Sequence, residues 1–340
     1  FRFLSINWIM KFVARVPRFK FMSMYAILTL VSLVPWFLII IHTGNIADVF
    51  SALLSGRTRD GIGAFFSRGV PQLFFFFSIF CGAIAFTYAI LRASKYRILW
   101  FLLFLLVLPL VLFGSAARFK LGFLLAPGLL YVSLMSAYSP NYVSVRKTIF
   151  SLVLLFFIIL VFQGSFRSTG FLFSDSSAGA LIETMLESGL IGLGHFGQML
   201  TAVDYADTFG FYYEPITPFF FTHFIPSSIW FDKPYPVSYL EYTQYATQGY
   251  SYNVTPSIVG QFYINWGIPG VLLSGVPIGV FARLGQDWLY HSIISENLVS
   301  GILGGMLIVF VVFSFRIFYP IYFGYPLFAF LFWLLFYKRG

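Results

Sequence analysis

The chain has 340 residues, of which 59% are hydrophobic, 22% aromatic and only 10% charged, and its mean hydropathy is +0.86. That composition excludes a water-soluble globular fold and predicts an all-α polytopic membrane protein. Lys and Arg number 21 against 12 acidic residues, a net charge of +9, which in so apolar a chain points to basic loops at anionic lipid and not to nucleic acid.

Apolar runs long enough to cross a hydrocarbon core of about 30 Å as helix recur along the chain. They predict about eight spans, at 21–41, 70–91, 98–113, 121–138, 148–163, 257–282, 293–313 and 319–337. A β-barrel would need alternating segments, and the run 102–108 does not alternate. Helices satisfy their own backbone in lipid, so helices are expected. The chain divides into an N-terminal membrane bundle at 1–163, a polar-aromatic loop subdomain at 164–256, and a C-terminal bundle at 257–340. It opens at Phe1 and not at a methionine, which leaves room for further spans before it. No cleavable signal peptide is recognisable.

Basic residues set the expected orientation. With the N-terminus cytoplasmic, that side carries Arg2, Lys11, Arg15, Arg18, Lys20, Arg92, Lys95, Arg97, Arg146, Lys147, Arg283, Lys338 and Arg339. Arg57, Arg59, Arg68, Arg118, Lys120, Arg167, Lys233 and Arg316 fall on the other side, spread over far more loop. The density bias satisfies the positive-inside rule and places 164–256 outside the cytoplasm.

Metal chemistry finds no foothold in the sequence. Cys81 is the single cysteine, and His42, His195, His223 and His291 are scattered without metal-ligand spacing. The arginines that resist the topological bias are the sharper signal. Arg118 lies in the turn Gly114-Ser-Ala-Ala-Arg118-Phe-Lys120, Arg167 directly follows the fifth span, and Arg316 sits between the last two spans. Helix ends hold all three near one interface, where guanidinium groups bind pyrophosphate bidentately. Snorkelling to lipid headgroups is the alternative for each.

The loop 164–256 is dense in Tyr, Phe and Trp with sparse charge. Aromatic faces pack on the C–H face of a pyranose while tyrosyl hydroxyls and carboxylates bond its hydroxyls. Tyr212, Tyr213, Trp230, Tyr250 and Asn253 are the candidate sugar contacts, against the alternative of an interfacial belt or a small packed core. Apolar spacing at Leu181, Ile182, Met185, Leu186, Leu190 and Ile191 predicts a helix over 178–199. Gln261 and Asn265, at i and i+4 on the sixth span, face either an interhelical contact or a wet cavity.

In these features the chain resembles the bacterial O-antigen polymerases, the Wzy-type membrane glycosyltransferases of GT-C-like helical architecture. The likeness rests on Phe-rich spans, the Gly-x-x-x-Arg turn ending at Arg118, and Gln-Gly-Ser-x-Arg167 before a large loop. Ile-Pro-Ser-Ser with Lys233-Pro234, Thr255-Pro-Ser, Gly260-x-x-Tyr-x-Asn-x-Gly267 and the late Arg316 complete it.

The resemblance implies a bacterial inner-membrane enzyme with a periplasmic active face. Undecaprenyl-pyrophosphate-linked oligosaccharide would serve as donor and acceptor, with no metal or other cofactor and with a chain-length regulator as a membrane partner. Arg118, Arg167 and Arg316, with Lys233 and Arg68 behind them, would hold the pyrophosphate. His195, His223 or Glu183 would take the acceptor proton, His195 being favoured because Gly192 and Gly194 bring backbone close. An O-antigen ligase acting on lipid A-core shares these features. A lipid-linked oligosaccharide flippase or transporter would need charges inside the spans, and they are nearly free of charge.

Overall fold

The computed structural model describes residues 21–45, 69–91, 96–112, 117–138, 194–214, 230, 237–246, 256–295, 297–316 and 323–335. Its helices are α1 Phe21–Thr43, α2 Gly69–Ile90, α3 Arg97–Leu112, α4 Ala117–Tyr138 and α5 Gly194–Phe209. They continue with α6 Val237–Ala246, α7 Ile258–Ile294, α8 Leu298–Arg316 and α9 Gly324–Leu335. No strand occurs among the described residues. Five helices, α1, α2, α4, α7 and α8, are long and apolar enough to cross a membrane, and α3 and α9 are shorter apolar helices. The chain is an all-α membrane protein, with α1 to α4, α8 and α9 over the expected spans. The span expected at 148–163 lies outside the described residues.

Contacts fix the helix directions. Tyr25 Oη donates to Leu99 O at 3.1 Å and Trp36 Nε1 to Leu106 O at 2.9 Å, so α1 and α3 run parallel. Tyr88 on Trp100 and Phe86 on Phe104 make α2 and α3 antiparallel. Phe76 meets Tyr325 and Phe80 meets Phe332, a parallel pairing of α2 with α9. Phe281 meets Phe323, and Trp288 stacks on Phe330, so α7 also parallels α9. The ends that begin α2, α4, α7 and α9 therefore share one face of the bundle with the ends that finish α1, α3 and α8.

Helix α8 occupies the middle. Ile302 and Met306 are fully buried, and α4 and α7 flank it. Water does not drive helices together inside lipid, so packing closeness is what holds this core. The crossing of α7 and α8 has glycine on both sides: a Cβ on Gly304 would lie 2.7 Å from Gly285 O and 2.8 Å from Leu289 N. Lipid-facing side chains ring the perimeter. Ile41 on α1, Ile98 on α3 and Leu272 on α7 are each more than 70% exposed.

Two expectations are corrected. The sixth span, expected over 257–282, is part of a helix that continues to Ile294. Charge at Arg283 and Asp287 lowers the hydropathy there, yet the two residues pair at 3.0 Å on the outer side while Trp288, Leu289 and Ser292 pack inward. Amphipathic periodicity thus carries the helix beyond its apolar run. The same helix is broken near its start. Gly267 adopts φ 61°, ψ −147°, a region essentially reserved for glycine. Pro269, two residues on, has no N–H to offer the carbonyl of Asn265.

Candidate functional site

Within 164–256, the described residues form two helices and a connecting strip laid on the start of α7. The expected helix over 178–199 is described only from Gly194, where α5 begins and runs on to Phe209. Gly210, at φ 82°, closes α5 with its N–H on Ala206 O at 2.8 Å, a left-handed helix ending. The strip 211–214 then crosses the broken point of α7. Tyr212 N–H donates to Ile264 O at 3.3 Å and Tyr213 N–H to Asn265 O at 2.9 Å. These are the carbonyls that the Gly267–Pro269 break leaves without helical partners. Phe211 lays its ring on Gly267, where a Cβ would come within 3.0 Å of it.

Glu214 anchors the other end of the strip. Its Oε1 accepts from Val237 N–H at 3.0 Å and its Oε2 from Ser238 N–H at 3.1 Å. A carboxylate on the first free amides of α6 satisfies them and complements the helix dipole. Ser238 Oγ accepts from Gln261 Nε2 at 3.1 Å, and Asn265 Nδ2 donates to Gln261 O at 2.9 Å. Gln261 therefore bonds across to α6, while Asn265 bonds back within α7. The pair sits under the cap, fully enclosed.

On this platform stands a cluster of phenols and carboxylates. Tyr205 and Tyr212 stack nearly parallel, and their hydroxyls lie 2.6 Å apart. Tyr212 Oη donates to Glu241 Oε2, and Tyr205 Oη reaches the same oxygen at 3.3 Å. Tyr245 Oη donates to Asp204 Oδ2 at 2.8 Å. Tyr242, with its ring edge on Tyr205, is buried beneath.

Burial raises the pKa of Tyr205 and Tyr212, and the Glu241 carboxylate adds to the rise. Burial alone raises Tyr242, and the bond to Asp204 chiefly raises Tyr245. These phenols stay protonated and act as donors. Glu241 is exposed, and its Oε1 carries no hydrogen bond among the described residues. It is an acceptor oxygen turned loose on a surface where neighbouring hydroxyls hold its partner oxygen in place.

A second group of residues lies where helix ends meet on the same face. Phe119, in the first turn of α4, packs edge-on against Phe313, in the last turn of α8, at 4.9 Å. This contact joins the helix ends that bear Arg118 and Arg316. The side chains of both arginines lie outside the described residues, as does that of His195 in the first turn of α5. Lys120, one turn into α4, is buried with Nζ 4.4 Å from the centre of the Phe75 ring.

Of the remaining residues singled out from sequence, Tyr212 joins the phenol cluster directly. Tyr213 is 69% exposed with φ 55°, and Trp230 is 40% exposed. Glu183, His223, Arg167, Lys233, Arg68, Tyr250 and Asn253 lie outside the described residues. Sequence reasoning missed Tyr205, Glu241, Asp204, Tyr245 and Glu214. Glu241 and Tyr212 are 29 positions apart, so no local spacing announces the pair. A partial signal existed in Asp204-Tyr205, a carboxylate next to a phenol within α5. Among the described residues, no group of three or more His, Cys, Asp or Glu is placed to hold a metal ion.

Compared with protein-family models, curated proteins and solved structures, the chain has no match.

Proposed function

We propose that this chain is a membrane glycosyltransferase that polymerises lipid-pyrophosphate-linked oligosaccharide units on the non-cytoplasmic face of the bacterial inner membrane. The observation that carries the reading is the exposed Glu241 carboxylate held by the hydroxyls of Tyr205 and Tyr212. It stands on the same bundle face as the helix ends that bear Arg118 and Arg316. Hydroxyl-rich, acidic chemistry suits a sugar acceptor, and basic helix ends suit an anionic leaving group.

In the proposed reaction the acceptor sugar hydroxyl gives its proton to a carboxylate or imidazole base, and its oxygen bonds to the donor's anomeric carbon. The bond from that carbon to the pyrophosphate oxygen breaks, and undecaprenyl pyrophosphate leaves with the electron pair. Glu241 orients the acceptor hydroxyl or receives its proton through Oε1, with His195, His223 and Glu183 as the other bases the sequence offers. Arg118, Arg167, Arg316, Lys233 and Arg68 meet the growing charge on the leaving group. Helix directions support the topology. Helix α4 ends on the face opposite α5, so the reading needs an odd number of crossings between them, and it assigns the apolar run 148–163 to one.

The test is reconstitution of the full chain in proteoliposomes with undecaprenyl-pyrophosphate-linked repeat units, followed by chain-length analysis. A polymer ladder is expected, with Glu241→Gln slowing it about 100-fold at unchanged protein abundance. Transfer that occurs only when lipid A-core is added would replace polymerase with ligase. No transfer to either acceptor would reject the proposal.

A further inference from the structure

Lys120 is 9% exposed, yet no carboxylate or other acceptor meets its ammonium among the described residues. Among the described residues its ammonium lies over the face of Phe75. A buried, unpaired charge in a membrane bundle is costly, and such residues mark ligand or ion sites when nothing in the chain neutralises them. A cation–π contact offsets only part of that cost.

The surroundings point to the missing partner's sign. Helices α2, α4 and α9 run parallel and start on the same face, where Tyr325 packs on Phe76 and Phe123 and Lys120 lies over Phe75, all within the first two turns. Each start presents unsatisfied N–H groups and the positive end of a helix dipole. Three such ends and one enclosed ammonium form a field that favours an anion. Pro71 in the first turn of α2 is compatible with this, since a proline there removes an amide that has no helical partner in any case.

We infer that the Lys120 ammonium binds a phosphate-type anion at the joined starts of α2, α4 and α9. The carrier is either the pyrophosphate of a polyprenyl donor or the headgroup of an anionic phospholipid. The inference deepens the reading above by naming the group that would anchor the donor, and it rests on that reading only for the polyprenyl carrier. Lys120 would bring to the anion a compact point charge on a flexible stem.

The experiment uses the full chain purified in neutral detergent, and its thermal midpoint is read with farnesyl pyrophosphate or with phosphatidylglycerol in mixed micelles. The variant is Lys120→Met, with Arg283→Gln, in the second half of α7 and away from the helix starts, as the control. The wild type and Arg283→Gln are expected to gain midpoint with at least one probe. Lys120→Met should weaken that binding by about tenfold to a hundredfold. Without ligand it should keep or raise the midpoint, because an unpaired buried charge has been replaced by an apolar chain of similar length.

A shift with farnesyl pyrophosphate that Lys120→Met loses supports the polyprenyl carrier. A loss seen only with phosphatidylglycerol supports the headgroup and leaves the donor of the proposed reaction without this anchor. An undiminished shift in Lys120→Met overturns the inference, as does no shift in the wild type with either probe. A large fall in the unliganded midpoint of Lys120→Met also overturns it, because Lys120 would then have its counter-charge within the chain. Glycan transfer is a separate readout, so either conclusion can fail alone.

Discussion

Helices α7 and α8 lie antiparallel and in contact, yet one is broken near its start and the other is continuous. Both are rich in glycine. In α8 the glycines sit inside regular helix and remove side chains, so that Gly304 rests on the backbone of α7 at Gly285. In α7 the glycine at 267 changes the path of the chain, and the carbonyls it frees are taken by the strip 211–214. The same residue type thus builds a close-packed core in one helix and a docking edge for the cap in its neighbour. Composition cannot separate the two uses. A nearby proline does not separate them either: Pro269 stands two residues beyond the broken Gly267, but Pro277 stands two residues beyond Gly275 inside regular helix, and no proline occurs in α8.

Filling the α7–α8 crossing should have the largest effect. Gly304→Leu forces backbone against backbone, with no flexible side chain to yield, and is expected to cost about 3 kcal/mol or more. Thermal unfolding in detergent should show the loss across the whole bundle, and a wild-type midpoint would mean the crossing is looser than described. Gly267→Ala sharpens the comparison from the other side. It places a Cβ in a glycine-only conformation against the Phe211 ring and should cost about 1–3 kcal/mol. That loss should appear in the cap. Hydrogen exchange at Tyr212 and Tyr213 amides is expected to accelerate while α8 stays protected, and equal acceleration in both would erase the distinction between the two helices.

The smallest effect belongs to Glu214→Ala. It removes the acceptor for the amides of Val237 and Ser238 and is expected to cost about 1 kcal/mol, confined to α6. Proteolysis of the cap under native conditions would report it. An unchanged cleavage rate would mean that α6 holds its place through Gln261 and Tyr242 without the carboxylate.

Most of the bundle was legible from hydropathy, because long apolar runs in lipid have few alternatives to helix. The limits of α7 were not. Its second half is amphipathic, with Arg283 and Asp287 outward and Trp288 inward, and a hydropathy average sees only the charge. Its break lies at Trp-Gly-Ile-Pro, but Ser-Gly-Val-Pro repeats the spacing without a break later in the helix, so the pattern alone did not mark it. The candidate site was legible as chemistry and not as geometry. The aromatic density of 164–256 singled out Tyr212, which stands in the phenol cluster. Its partner Glu241 was not singled out, because the pair forms only when α5, α6 and α7 are brought together.

Tyr212 is held at both of its ends by different parts of the molecule. Its amide is fixed to Ile264 on the membrane helix, and its hydroxyl is fixed to Glu241 on the cap. One side chain thus spans the distance from the broken rim of α7 to the carboxylate. Glu241 is tied to that rim by a tyrosine, a rigid ring with two rotatable bonds, as well as by the Gln261–Ser238 bond under α6. Under the proposed function, a site gauged in this way would meet lipid-tethered substrates at one level, however long the chain each carries.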